Sequence, residues 1–180
     1  YRGDLHDVLA RFVLVADRTQ ADHLVRITAD CPFIDPAVVS DLVSLHLESD
    51  NCHTSVAGTF PDGLDASVSS SEALREASRR ALKPSEREHV TTFLDSHPDQ
   101  FRLAHLDPGM LGHIRLSVDY PIDLVVAVEV DRILRRRRNY WGLEELRVLA
   151  DSQPEVFLPN SHVERNSGFK KSLRQDPYLE

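Results

Sequence analysis

Apolar residues recur at helical spacing from the start of the chain: Leu5, Val8, Leu9, Phe12 and Ala16 predict an amphipathic helix over residues 4 to 18. A β-prone run at about 22 to 28 follows. Asp35-Pro36 then offers an N-cap and a first-turn proline to a helix that directs Val38, Val39, Leu42, Val43 and Leu45 inward. Runs at 52 to 57 and 64 to 68 read as strands parted by the turn Pro61-Asp62-Gly63. Ser69 with Glu72, and Ser85 with Glu88, have the spacing of capping boxes and open helices near 70 and 86. Strands near 101 to 106 and 114 to 118 precede a long helix from Pro121 to about Arg136, and a further helix follows Gly142. The polar stretch after Pro159 reads as a tail or linker. Strands alternating with helices predict an α/β fold with a mostly parallel sheet, one domain over residues 1–159, and a carboxy-terminal tail over 160–180.

Composition narrows the class. A chain of 180 residues can bury one real core and is short for two. A formal net charge of −8 argues against nucleic acid and anionic membranes as general partners, because both surfaces repel it. A small anionic ligand then needs a metal ion or a local group of arginines. Two cysteines, Cys31 and Cys52, imply no disulfide framework and fit a reducing cytoplasm. No apolar run reaches membrane-spanning length. Because the sequence opens on Tyr1 and its one methionine is Met110, it is expected to be a piece of a longer polypeptide.

The candidate chemistry sits in a frame that occurs twice: Arg26-Ile27-Thr28-Ala29-Asp30-Cys31-Pro32 and Arg115-Leu116-Ser117-Val118-Asp119-Tyr120-Pro121. Each is a β-prone run ended by an aspartate and stopped two residues later by a proline. In open α/β sheets ligands bind at the carboxyl ends of strands, so two carboxylates delivered there can share one divalent cation and hold a nucleotide's phosphates. Either aspartate alone is accounted for as a strand terminator bonded to the next turn's amides. The repeat of the frame points to a shared site.

Other chemistries fall away. The glycines form neither a Walker A loop nor a GxGxxG turn, and nine histidines show no HExxH or paired metal-ligand spacing. Cys52 beside His53 reads as a small strand residue rather than a nucleophile. Asp123 complements a helix dipole, with metal contact as the alternative, and Arg135 to Arg138 reads as a solvated C-terminal cluster. Glu88 has a capping duty, whereas Arg87 and His89 have none and stand as ligand-contact candidates.

These residues carry a resemblance. Tyr1-Arg2-Gly3 with Asp7 to Phe12, the stretch Arg26 to Pro36, and Phe60-Pro-Asp-Gly-Leu-Asp65 resemble the cytidylyltransferase family of spore-coat polysaccharide biosynthesis, related to CMP-sialic acid and CMP-KDO synthetases. Ser85-Glu-Arg-Glu-His-Val-Thr91, Arg115 to Leu124, and Asn166-Ser-Gly-Phe-Lys-Lys-Ser-Leu173 continue the match in order over nearly the whole chain. The resemblance implies a Rossmann-like nucleotide-diphospho-sugar transferase fold and a cytoplasmic enzyme that couples CTP to a sugar acid, releasing pyrophosphate. It places magnesium (Mg2+) on Asp30 and Asp119, the nucleotide beside Gly3 and Arg11, and the sugar beside Asp65, Arg87 and His89. By analogy it suggests a homodimer, and an exit near Asn160, Arg165, Asn166 and Lys170 toward a fused second domain.

The family's phosphate-binding loop, rich in Ser, Arg, Leu, Pro, Gly and Lys, is expected upstream of Tyr1 together with the first strand of the fold. The expectation is therefore an amino-terminally truncated piece, inactive alone and with an exposed sheet edge. Ala66-Ser67 stands where an acidic residue often follows the Gly-Leu-Asp motif, and Tyr120 where Thr or Ser would cap the helix, a loss of about 1 kcal/mol. Two other readings remain at this stage. One is a metal-dependent glycosyltransferase, although Asp30-Cys31-Pro32 is not the Asp-x-Asp pair such enzymes present. The other is a non-catalytic interaction module.

Overall fold

The computed structural model describes residues 1–107, 110–137 and 142–177. The first amphipathic run forms α1, Val8–Thr19, capped by the Asp7 side chain, which accepts from the Ala10 N–H at 2.9 Å. That cap starts the helix after Leu5, which stays exposed. Asp35 caps α2, Pro36–Glu48, as its sequence predicts: one oxygen accepts from Ala37 N at 2.8 Å. The other accepts from Leu143 N at 2.7 Å and so ties α2 to the start of a later helix.

Strands β1 (His23–Ile27), β2 (His53–Val56), β3 (Ala66–Ser70) and β4 (Leu103–Leu106) form a four-stranded sheet in the order β1-β3-β2-β4. β3 is antiparallel to both β1 and β2, while β2 and β4 are parallel. The sheet is thus mixed, which corrects the expectation of a mostly parallel one. The cause is local: the 57–65 connection from β2 to β3 holds no helix, and a parallel pairing would need a long crossover. Three strands still run one way, with β3 reversed between them.

The remaining helices are α3 (Ser71–Arg80), α4 (Pro84–Glu88), α5 (Thr92–Asp95), α6 (Pro121–Arg137), α7 (Leu143–Ser152) and α8 (Ser167–Gln175), with a 3-10 turn at Pro154–Phe157. α2 covers one sheet face through Leu42 against Ala66 and Val68. On the other face α1, α3 and α5 bury Leu9, Leu74 and Phe93 beside Leu24, Cys52 and Leu103. Phe33, Phe60, Leu116, Val126 and Leu149 form a third cluster that fixes α6 and α7 to the ends of the sheet. Each such side chain contributes about 1.5–3 kcal/mol by leaving water.

Several local expectations shift. Ser70, not Ser69, caps α3 by accepting from Ala73 N at 3.2 Å, because the Ser69 hydroxyl is taken by His53 at 2.8 Å. Helix α4 begins at Pro84, so Ser85 lies inside it and donates to Asp176 instead. Residues 114–118 join no ladder, only an isolated bridge between Asp62 and Arg115. Their amides are spent elsewhere: Leu116 N and Ser117 N donate to Asp62 O, and Val118 N donates to Asp30 O at 2.9 Å. The polar stretch after Pro159 folds back over the body, with Asn160 fully buried and α8 lying along α4. It is polar because its partners are polar.

Candidate active site

On the sheet face opposite α2, toward the carboxyl ends of β1 and β2, lies a cleft of about 690 Å³. Its floor is polar. Arg26, Ser67 and Ser55 are successive register partners across three strands, so they share that face, and His53 lies on it next to Ser69. Around that floor stand Asp30, Asp62, Asp65, Arg115 and Asp119, together with His89, Thr91, Arg165 and residues of α8. Carboxylates outnumber cationic side chains in the lining, which suits a bound cation.

The two aspartates of the repeated frame reach this one cleft from segments far apart in sequence. The Val118 N–H to Asp30 O hydrogen bond joins the two segments one residue before Asp119. Gly63 makes the approach possible: its φ is +103°, and a Cβ there would lie 2.3 Å from Ser117 N and 2.5 Å from the Leu116 carbonyl carbon.

Arg115 organises the Asp119 side. It is 5% exposed and donates through Nε and Nη2 to Asp123, through Nη1 to Asp62 at 2.7 Å, and through Nη2 to Asp119 at 2.5 Å. Burial lowers its pKa, but hydrogen bonds to Asp123 and Asp119 and the charge of Asp62 outweigh that and raise it. Asp123, buried at the third position of α6, also accepts from Tyr120 N at 2.9 Å, Asp119 N at 3.1 Å and Asn160 Nδ2 at 2.9 Å. Burial pushes its carboxyl up, but Arg115, Asn160 and the two amides pull it well below the usual carboxylate range. This contact supplies the helix start that Tyr120 lacks, and it makes Asp123 a structural anion. Burial and the neighbouring Asp65 push Asp62 up, against the pull of Arg115.

Both cleft aspartates keep free oxygens among the described residues. Asp119, with its side chain 47% exposed, gives only Oδ2 to Arg115. Asp30 receives only a long 3.7 Å contact from the Cys31 thiol. Cys31 itself is pushed up to about 11 by burial, which makes it an inert thiol. Among the described residues no three His, Cys, Asp or Glu side chains gather around a metal site. Two hard carboxylate donors with space for phosphate oxygens and water fit magnesium, which needs few protein ligands.

The other sequence candidates divide. Asp65 lines the cleft, bonded to Gly63 N at 2.9 Å and to Arg165 at 3.0 Å. Arg165 also clasps the carbonyls of Gly58 and Phe60. His89 lines the cleft too, 2.7 Å from Ser172 Oγ and edge-on to Phe169, with burial lowering its pKa. Val90, a buried β-branched residue at φ 67°, makes the turn that presents both His89 and Thr91 to the cleft. Arg87 is not brought there: its guanidinium is spent on Asp7 and on the carbonyls of Ala81 and Ser78, binding α4 to α1 and α3. Gly3 and Arg11 also lie outside the cleft lining, packed on each other, with Arg11 donating to Asp4 O. Arg135 pairs with Asp131 at 2.7 Å, and the other side chains of that arginine run lie outside the described residues.

Sequence reasoning missed Arg26, His53, Ser67, Ser117 and Asp95 as cleft residues. A signal existed: Ala66-Ser67-Val68-Ser69 alternates apolar with hydroxyl, the mark of a strand whose second face meets polar partners. That face is buried, and the hydroxyls of Ser67 and Ser117 have no partner within the described protein.

Comparisons with known proteins agree with this architecture. The cytidylyltransferase family profile matches residues 1–150. The chain is 31% identical over 108 residues to the spore coat polysaccharide biosynthesis protein SpsF of Bacillus subtilis, covering 59% of this chain and 45% of that protein. It is 27% identical over 172 residues to an uncharacterised protein of Methanocaldococcus jannaschii, covering 93% of this chain and 69% of that one. The chain thus spans under half the length of SpsF. A solved cytidylyltransferase structure from Leptospira borgpetersenii superposes with a TM-score of 0.79 at 21% identity, over 87% of this chain and 67% of its own. The likeness of fold and the match over most of the sequence place this chain in the cytidylyltransferase family.

Proposed function

We propose that the complete protein transfers CMP from CTP to a sugar acid for surface polysaccharide biosynthesis. The observation that carries this reading is the arrival of Asp30 and Asp119, each with an unengaged oxygen, in one cleft of a cytidylyltransferase-family chain. In the reaction a sugar hydroxyl oxygen bonds to the α-phosphorus, the bond to the β-phosphate oxygen breaks, and pyrophosphate leaves as the hydroxyl loses its proton. Magnesium held by Asp30 and Asp119 would neutralise charge on the phosphates.

The chain's own part is positioning. Arg115 holds the Asp119 carboxylate through Oδ2 and leaves Oδ1 unengaged among the described residues at the cleft lining. Asp65, fixed by Gly63 N and Arg165, and His89, fixed by Ser172, present polar atoms on the wall where the acceptor would lie. Such groups accelerate transfer by orientation and charge compensation, without a covalent intermediate.

The test is pyrophosphate release from CTP by the full-length protein with magnesium and a panel of sugar acids. Release that requires all three, and that falls by about a hundredfold or more in Asp30→Asn while circular dichroism is unchanged, is expected. Unchanged turnover in Asp30→Asn would contradict the assignment.

A further inference from the structure

The cleft floor holds a cation and a hydroxyl that have no hydrogen-bond partner among the described residues. One row across the sheet runs Arg26, Ser67, Ser55, His105, since each is the register partner of the next. At one end Ser55 and His105 satisfy each other at 2.9 Å. At the other, Ser67 is 7% exposed and its Oγ has no hydrogen-bond partner among the described residues. Arg26, facing it across the β1–β3 ladder, has neither hydrogen bond nor ion pair among the described residues, and the carboxylates of Asp30 and Asp65 act on it through charge alone. Burial lowers its pKa, so the site itself disfavours the charge it holds. The charge of Asp65 offsets this only in part, and its two oxygens are engaged with Gly63 N and Arg165.

A half-buried guanidinium with five donors, beside an unpaired hydroxyl in an open cleft, lacks an acceptor with two or more oxygens. Resting on the transfer reaction above, we infer that Arg26 and Ser67 form an oxyanion seat that takes the carboxylate of the acceptor sugar. The guanidinium fork grips both carboxylate oxygens and the Ser67 O–H donates a further bond. The alternating pattern of β3 then has a purpose: it keeps a small hydroxyl, and no competing acid, opposite the arginine.

A nucleotide phosphate shares the oxyanion chemistry, so the experiment separates the two sources. The Arg26 Nε–H and Ser67 amide signals are followed by NMR in the full-length protein during titration with sodium acetate, inorganic phosphate, CTP and, as control, sodium chloride. Saturable shifts with acetate, tighter than with phosphate and not elicited by CTP alone, are expected. Arg26→Gln should weaken acetate binding by about tenfold or more, read at Ser67, with partial recovery in Arg26→Lys and a loss of about threefold in Ser67→Ala. Tighter binding of phosphate, or a shift with CTP alone, would assign the seat to the nucleotide and overturn the proposal. Linear, unsaturated drift with both anions would overturn it as well. Pyrophosphate release is scored separately: its absence counts against the transfer reaction, while the acetate titration alone decides the seat.

Discussion

The two Arg-x-x-x-Asp frames have the same spacing and opposite physics. Arg115 donates four hydrogen bonds to three carboxylates and its pKa rises, whereas Arg26 has no hydrogen-bond or ion-pair partner among the described residues and its pKa falls. The difference comes from what distant segments bring. Asp62, Asp123 and Asn160 close around Arg115, but β3 offers Arg26 only a serine. The same frame therefore builds a rigid support for one aspartate and leaves an open donor beside the other. Local sequence sets where a charge stands, and tertiary partners decide whether it stabilises the fold or waits for a ligand.

The two arginines should differ most in what their loss costs. Arg115→Met leaves Asp62 and Asp123 buried without their cation, and urea denaturation should show a loss of about 3–5 kcal/mol. Arg26→Met removes a partly buried charge that makes no hydrogen bond or ion pair among the described residues, so stability should stay within about 1 kcal/mol of the parent or rise. Similar losses at both positions would erase the distinction.

Acid sharpens it further. Burial lowers His46 and His53 each to about 4, so both are neutral in the folded protein at neutral pH. Between pH 6.5 and 4 the unfolded chain binds protons that the folded chain refuses, and stability falls as pH falls through that window. Each histidine adds up to about 1.4 kcal/mol per pH unit. The Asp123 carboxyl adds nothing to that slope, because it stays ionised far below its usual range. His53→Gln should flatten the stability–pH curve between pH 6.5 and 4, whereas Arg115→Met, which takes from Asp62 and Asp123 the cation that keeps them ionised, should cost most at neutral pH and less as pH falls. A slope unchanged by His53→Gln would place the acid sensitivity elsewhere.

Smaller again is Asn160→Ala, which withdraws one donor from Asp123 and one from the Arg115 carbonyl. A loss of about 1–3 kcal/mol by the same denaturation measurement is expected. No loss would mean that the segment after Pro159 does not brace the network.

Much of the framework was legible in local rules. The Asp35-Pro36 helix start and the helix after Gly142 follow from caps and proline geometry that act within a few residues. Strand direction was not legible, because β3 pairs with both β1 and β2 through a helix-free loop that sequence periodicity does not distinguish. Nor was the fate of Arg87, whose partners Asp7, Ser78 and Ala81 come together only when α1, α3 and α4 pack. The repeated frame placed Asp30 and Asp119 in one cleft, yet it carried no sign that their arginines would differ. That depended on Asp62, more than fifty residues from Arg115 in the chain, and on a buried asparagine in a segment whose polarity mimics a tail.

The central claim is that Asp30 and Asp119 serve one ion. Mn2+ titrated into the full-length protein with CTP, followed by electron paramagnetic resonance, tests it through Asp30→Asn, Asp119→Asn and the double variant. Each single substitution should weaken Mn2+ binding by about tenfold or more, and the double should lose far less than the product of the two. Binding untouched by either substitution, or losses that multiply as from independent sites, would contradict the account.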